Sequence, residues 1–196
     1  MKRIHDQLAN LLEYPGADWD ANLAACKKLA FGSSPELLTS VAKFCDGATD
    51  LPLSSLQEIY TRSFDLSPVC ALDIGYHLFG ENYKRGVFLA NLRETEAPFD
   101  LGQEHQLPDY LPVLLRLLTK LEDEELRGAL IVDCMIPALE KMLKTLSEGE
   151  NPYRHLIAAV NTELKSEAGV YPATIQRANL PILQAAAFSE TNPELF

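Results

Sequence analysis

The sequence predicts an all-α fold, a single-domain bundle of about eight to ten helices, and three observations carry that expectation. Apolar residues recur at the 3.6-residue period of a helix in one block after another. Strand-like alternation appears nowhere at useful length, and helix start and stop residues bracket the periodic blocks.

In chain order, Ile4, Leu8, Leu11 and Leu12 form the first apolar stripe, ended by Tyr14-Pro15-Gly16. Trp19, Leu23, Cys26 and Ala30 form the second, opened by Asp18, whose carboxylate suits the unsatisfied amides of a first turn. Leu37, Val41 and Phe44 follow Ser34-Pro35, a cap residue before a proline whose missing amide costs nothing at a first helical position, and Asp46-Gly47 is expected to stop that helix. Ser54 with Gln57, or Ser55 with Glu58, has the spacing of a capping box. Gly80 and Pro98 mark further stops before Leu111, Leu114, Leu115, Leu118 and Leu121 resume the period. Leu126, Leu130, Cys134, Leu139, Met142 and Leu146 form a long stripe containing Pro137, which removes a backbone hydrogen bond and crowds the preceding turn, so a kink is expected there. Gly149 stops it, and Asn151-Pro152 opens the last stripe of Tyr153, Leu156, Ile157, Val160 and Leu164. Residues 1–168 then form the helical domain, in two halves joined by the loop near 97–108. Residues 169–196, with Pro172, Pro181 and Pro193, form a C-terminal tail of one short helix and irregular chain.

Composition narrows the function. At 196 residues and 47% hydrophobic content the chain has ample material for a core, which excludes disorder and small disulfide scaffolds. Its 17 Lys and Arg against 28 Asp and Glu give a net charge of −11, which argues against a nucleic-acid partner and suits a basic one. The cysteines, Cys26, Cys45, Cys70 and Cys134, lie far apart with no C-x-x-C pair, so neither a zinc site nor a disulfide framework is expected. The N-terminus lacks the pattern of a secretory signal, and no stretch approaches the ~18 uncharged apolar residues of a membrane span. A reduced, cytoplasmic protein without membrane insertion is the expectation.

Chemistry is sparse. There is no G-x-S-x-G and no P-loop. Asp73 and His77 stand at the i, i+4 spacing that shares a helical face, and Cys70 lies one turn back, which invites a small Cys/His hydrolase. A hydrogen-bonded surface pair and a buried structural thiol explain the same residues. In Glu122-Asp123-Glu124-Glu125 consecutive side chains point around a helix rather than converging on a metal, and an acidic first turn facing the helix dipole accounts for them. Neither an enzyme nor a metal site is expected.

Polar and special residues concentrate from Tyr60 to Pro112, and here the sequence resembles the NarJ branch of the TorD/DmsD superfamily, chaperones that assemble molybdenum-containing oxidoreductases. Leu11-Leu12-Glu13-Tyr14-Pro15 looks like that family's L-L-x-Y-P, and Tyr60 with Phe64-Asp65 like its Y-x-x-x-F-D. His77, Gly80-Glu81 and Arg85-Gly86 resemble H-x-x-G-[DE]-x-x-x-R-G, and Leu107-Pro108-Asp109-Tyr110-Leu111-Pro112 resembles L-P-D-[HY]-L-P. Order and spacing agree from about residue 8 to residue 121. Three positions depart from the pattern: Asn82-Tyr83 replaces the usual Ser-Arg, removing one positive charge, Ala71 stands where Ser is common, and Gln106 replaces Glu.

The resemblance implies a TorD-like fold and a cytoplasmic chaperone that binds the catalytic subunit of a nitrate-reductase-like molybdoenzyme. The client's N-terminal, twin-arginine-like peptide would lie in a groove between the helical halves. No stably bound cofactor is implied, only transient contact with molybdopterin guanine dinucleotide through the client during insertion. A generic helical adaptor without cofactor traffic is the alternative. The candidate peptide-binding residues are Tyr60, Phe64, Asp65, Tyr76, His77, Phe79, Tyr83, Arg85, Asp109 and Tyr110. Tyr76, Phe79, Tyr83 and Tyr110 are the expected apolar walls, with Asp65 and Asp109 the nearest charges. Asp109 is also a candidate N-cap for the helix after it, accepting from the Leu111 amide, and Tyr60 and Phe64, one turn apart, favour a core over a groove. Arg85 and His77, beside a glycine pair, are harder to explain by packing alone.

Overall fold

The computed structural model describes residues 2–66, 70–146 and 151–171. Ten α-helical segments stand among them, and the strand-like pairing is an isolated antiparallel bridge between Asp73 and Tyr110. The elements are α1 (Lys2–Leu12), α2 (Trp19–Ala30), α3 (Pro35–Thr49), α4 (Leu53–Tyr60), α5 (Ile74–Phe79), α6 (Tyr83–Glu96), α7 (Leu111–Lys120), α8 (Glu124–Ala129), α9 (Ile136–Thr145) and α10 (Tyr153–Ala168). The all-α expectation holds.

The apolar stripes read from the sequence are buried, with Leu126 only partly so. Leu8, Leu11 and Leu12 of α1 face Leu111, Leu114 and Leu118 of α7 in one core, and α3 packs along α10 through Val41, Phe44, Tyr153 and Ile157. Helices from either side of residues 97–108 thus interleave. That segment is locally tied: Gln103 accepts from the Leu101 amide at 2.7 Å and donates to the Phe99 carbonyl at 2.7 Å, while Leu101 is buried.

Several local signals acted otherwise than expected. Ser34 does cap α3, accepting from the Leu37 amide at 3.2 Å, but Asp18 makes no side-chain cap bond to α2. Neither capping box forms, because α4 begins at Leu53 behind Pro52, placing Ser54 and Ser55 inside the first turn, and Gln57 instead donates to the Pro15 carbonyl at 2.9 Å. Asp46-Gly47 does not stop α3, which runs on to Thr49. Gly47 serves close approach: a Cβ there would stand 3.2 Å from Cβ of Pro152 at the start of α10. Pro137 is absorbed by a π turn over Leu130–Met135 that leads straight from α8 into α9, where the proline takes a first-turn position needing no amide. The stop at Gly149 and the tail from Pro172 onward lie outside the described residues.

Candidate functional site

The Asp73–Tyr110 bridge organises the matched segments. The Ile74 amide donates to the Asp109 carbonyl at 2.8 Å and the Leu111 amide to the Leu72 carbonyl at 2.8 Å, so the starts of α5 and α7 are tied together. A cleft and a buried ion pair flank this tie.

The cleft has a volume of about 250 Å³. Tyr60, Phe64, Leu72 and Tyr110 line it, Tyr14 forms a wall, and Glu13, Asp65, Asp73 and Gln106 add polar edges. A π turn over Thr61–Asp65 follows α4 directly and carries Phe64 and Asp65 to the cleft, closed by the Leu66 amide on the Thr61 carbonyl at 2.9 Å. The aromatic rings meet edge to face, Tyr60 with Tyr14 at 5.5 Å, with Phe64 at 5.0 Å and with Tyr153 at 5.7 Å. Their polar ends are fixed by the first motif: the Tyr60 hydroxyl donates to the Leu12 carbonyl at 3.0 Å, and the Tyr110 hydroxyl, 3.1 Å from that of Tyr60, donates to Glu13 at 3.2 Å. Burial holds both phenols above the ordinary tyrosine range, so they stay neutral donors. Burial, and next the Asp109 charge, raise the Asp73 carboxyl, with Arg85 opposing. Arg116 clamps Glu13 at 2.8 Å and also reaches the Leu101 carbonyl and Asn10.

The ion pair joins α5, α6 and the segment before α7. Asp109 is fully buried, and its Oδ2 accepts from the Gly75 amide at 3.0 Å and from Arg85 Nε and Nη2, each at 3.1 Å. It does not cap α7 as the sequence suggested: the Leu111 amide is taken by Leu72, and α7 opens at Tyr110 with no side-chain cap. Asp109 caps α5 instead, its carbonyl taking the Ile74 amide and its carboxylate the next. The Arg85 guanidinium lies 5.8 Å from the centre of the Tyr76 ring. At the far end of α5, Lys141 of α9 donates to the His77 carbonyl at 2.5 Å.

Four of the candidate residues, Tyr60, Phe64, Asp65 and Tyr110, line the cleft, and Tyr76, His77, Arg85 and Asp109 gather around the ion pair. Phe79 packs on Phe88 at 5.4 Å, while Tyr83 is 73% exposed and lines neither. The two residues that packing alone explained poorly have structural partners after all. Arg85 neutralises a buried acid, and His77 is buried with Nε2 donating to the Ala71 carbonyl at 2.7 Å. Sequence reasoning passed over Glu13, Gly75 and Arg116. Glu13 was legible as the variable position of L-L-x-Y-P, whereas no sequence signal marks the other two.

Nucleophilic chemistry finds no support. Burial pushes the Cys70 thiol up to about 12, so the attacking thiolate is not formed near neutrality, and His77 is held on Ala71. Among the described residues no group of three or more His, Cys, Asp or Glu is placed to hold a metal ion, and no helix is long and apolar enough to cross a membrane.

No family model matches the chain. It is similar to the probable nitrate reductase molybdenum cofactor assembly chaperone NarJ of Bacillus subtilis (strain 168), 26% identical over 161 residues, 81% of this chain and 86% of that relative. It is also similar to the probable nitrate reductase molybdenum cofactor assembly chaperone NarW of Escherichia coli (strain K12), 26% identical over 151 residues, 76% of this chain and 63% of that relative. The likeness read from four short motifs thus extends to curated relatives: over most of its length the chain is similar to proteins named as nitrate reductase molybdenum cofactor assembly chaperones.

Proposed function

We propose that this protein is a cytoplasmic maturation chaperone. It binds the catalytic subunit of a nitrate-reductase-like molybdoenzyme through that subunit's N-terminal peptide and assists molybdenum cofactor insertion and complex assembly. The observation that carries the proposal is the meeting of three motif segments, Leu11–Pro15, Tyr60–Asp65 and Leu107–Pro112, at one cleft in a chain similar to NarJ over 81% of its length.

The cleft suits binding rather than catalysis. Tyr60, Phe64 and Tyr110 are buried core residues that form a rigid floor with their polar ends already satisfied, while Tyr14, 53% exposed, is the aromatic surface open to an entering apolar side chain. A micromolar complex needs about 8 kcal/mol, whereas an exposed ion pair contributes about 0 to 1, so the acidic edge steers and apolar burial supplies most of the energy. Three leucine-sized side chains, at about 1.5 to 3 kcal/mol each, give about 5 to 9 kcal/mol gross, so micromolar affinity requires nearly full burial of three together with backbone contacts that offset association entropy. Asp65 and Asp73 then select for a peptide with basic residues beside its apolar ones.

The cleft does not fit the cofactor itself. Its charged edge is Glu13, Asp65 and Asp73, and carboxylates repel the phosphates of a molybdopterin dinucleotide. Cofactor traffic therefore runs through the client.

Affinity capture with the tagged chain from its native cells, followed by mass spectrometry, tests the reading. The expected result is a molybdoenzyme catalytic subunit, lost when its N-terminal peptide is deleted. Enrichment of unrelated proteins with no molybdoenzyme among them would favour a generic adaptor and overturn the proposal.

A further inference from the structure

A second cavity, of about 170 Å³, opens where α1 leads into α2. Asn10, Asp18, Trp19 and Asn22 line it, and Glu13 and Tyr14 belong both to its wall and to that of the cleft already described, so the two are neighbours with Tyr14 between them. Their chemistry differs. The first is floored by the buried rings of Tyr60, Phe64 and Tyr110, whereas the second offers two side-chain amides and a carboxylate, with the buried indole of Trp19 among them.

The unengaged polar groups identify the occupant. Both oxygens of Glu13 are taken, Oε1 by Arg116 at 2.8 Å and Oε2 by the Tyr110 hydroxyl at 3.2 Å, and Arg116 also holds Asn10 Oδ1 at 3.2 Å. Asp18 and Asn22 are different. They stand at the i, i+4 spacing that sets two side chains on one face, with the Asn22 backbone amide on the Asp18 carbonyl at 3.0 Å. Neither side chain has a hydrogen-bond or ion-pair partner among the described residues, and Asn22 is half-buried. An anion is repelled by the free carboxylate, and an apolar group would strip water from Asp18 and Asn22 without replacing its hydrogen bonds. A guanidinium has several N–H donors in one plane, enough to meet the Asp18 carboxylate and Asn22 Oδ1 together, while its methylene stem lies on the exposed Tyr14 ring. An ammonium brings the same charge without the planar fork. We infer, resting on the peptide-binding function proposed above, that this cavity is a subsite for one basic side chain of the client peptide, arginine in preference to lysine. The peptide crosses Tyr14, with an apolar side chain in the first cleft and this basic one in the second.

The test is a double-mutant cycle by titration calorimetry on the full chain. The probes are the N-terminal peptide of a nitrate reductase catalytic subunit and versions of it in which each arginine or lysine is replaced in turn by glutamine. Asp18→Asn, whose parent carboxylate caps nothing, should be as helical as the parent by circular dichroism and bind the unaltered peptide about 3- to 5-fold more weakly. One glutamine peptide should lose a similar factor against the parent chain and nothing further against Asp18→Asn, because the partner is already gone. Against Asp65→Asn, a change in the first cleft alone, the same peptide should keep its full loss. Peptide binding in which Asp18→Asn is without effect, or in which no basic position couples to Asp18, would overturn the subsite and leave the peptide-binding function standing. No binding to the parent chain at all would overturn both.

Discussion

Arg85 and Asp109, 24 residues apart, form an ion pair in which the carboxylate is wholly enclosed and the guanidinium about a fifth exposed, with Nη2 to Oδ2 at 3.1 Å. The pair joins two of the matched motifs and holds the short helix α5 by its first turn.

Arg85→Ala should therefore destabilise the fold by about 3 kcal/mol, because it leaves a buried acid without its cation. Asp109→Asn, which keeps an acceptor for the Gly75 amide, should cost less, about 1 to 2 kcal/mol. Urea unfolding measures both. Equal, negligible losses would mean the pair is not closed in solution. Loss of client maturation in either variant has meaning only beside its measured stability.

Gly75 and Gly86 offer a matched contrast. A Cβ at Gly75 would stand 2.6 Å from Asp109 Oδ2, 3.0 Å from Phe88 and 3.3 Å from Arg85, all held in place, whereas Gly86 opens to empty space. Gly75→Ala should destabilise by about 2 kcal/mol and Gly86→Ala should stabilise by about 0.5 to 1. Shifts of the same sign in thermal melts would contradict the packing described around Asp109.

The Tyr60 and Tyr110 hydroxyls share one network with Leu12 and Glu13. Tyr60→Phe and Tyr110→Phe should each cost about 1 to 2 kcal/mol, and the double variant should cost clearly less than their sum, since each single leaves the other hydroxyl under-bonded. Strict additivity would show that the two phenols act independently.

His5 sets an acid limit. Burial lowers its folded pKa from 6.5 to about 4, against a smaller opposing effect of Glu167, whose Oε2 lies 3.3 Å from Nε2 but whose other oxygen is engaged by Arg127. Between these values the unfolded chain binds the extra proton, so stability rises with pH, and its contribution is lost as pH falls from about 6.5 toward 4. By pH 5 the loss is on the order of 2 kcal/mol. His5→Gln should flatten this dependence in urea titrations at several pH values, and an unchanged slope would show that His5 is not the group responsible.

The apolar stripes were legible because period 3.6 and burial are the same fact seen twice, and α1, α3, α7 and α10 bury the residues their sequences nominate. Boundaries were less so. Gly47 reads locally as a stop, yet its missing side chain answers to Pro152, a contact across the fold that no local signal carries. Asp109 misled in the same way: its spacing to Leu111 suits a cap, but the amide it captures belongs to Gly75. At the cleft, the spacing of the motif residues carries no signal of how deeply each is buried. Tyr83 and Tyr110 look alike in sequence, and only packing sets one in solvent and the other across from Glu13.

Titration calorimetry shows whether the cleft beside Tyr14 takes the client peptide. The N-terminal peptide of a nitrate reductase catalytic subunit would be titrated into the parent, Tyr14→Ala and Asp65→Asn, two changes at exposed side chains. Binding should be micromolar or tighter with a negative heat-capacity change, about tenfold weaker for Tyr14→Ala and mildly weaker for Asp65→Asn. Raising salt from about 50 to about 500 mM should weaken it only modestly. Affinity that collapses by orders of magnitude in salt with no heat-capacity change, or that is indifferent to Tyr14→Ala, would place the binding energy outside this cleft.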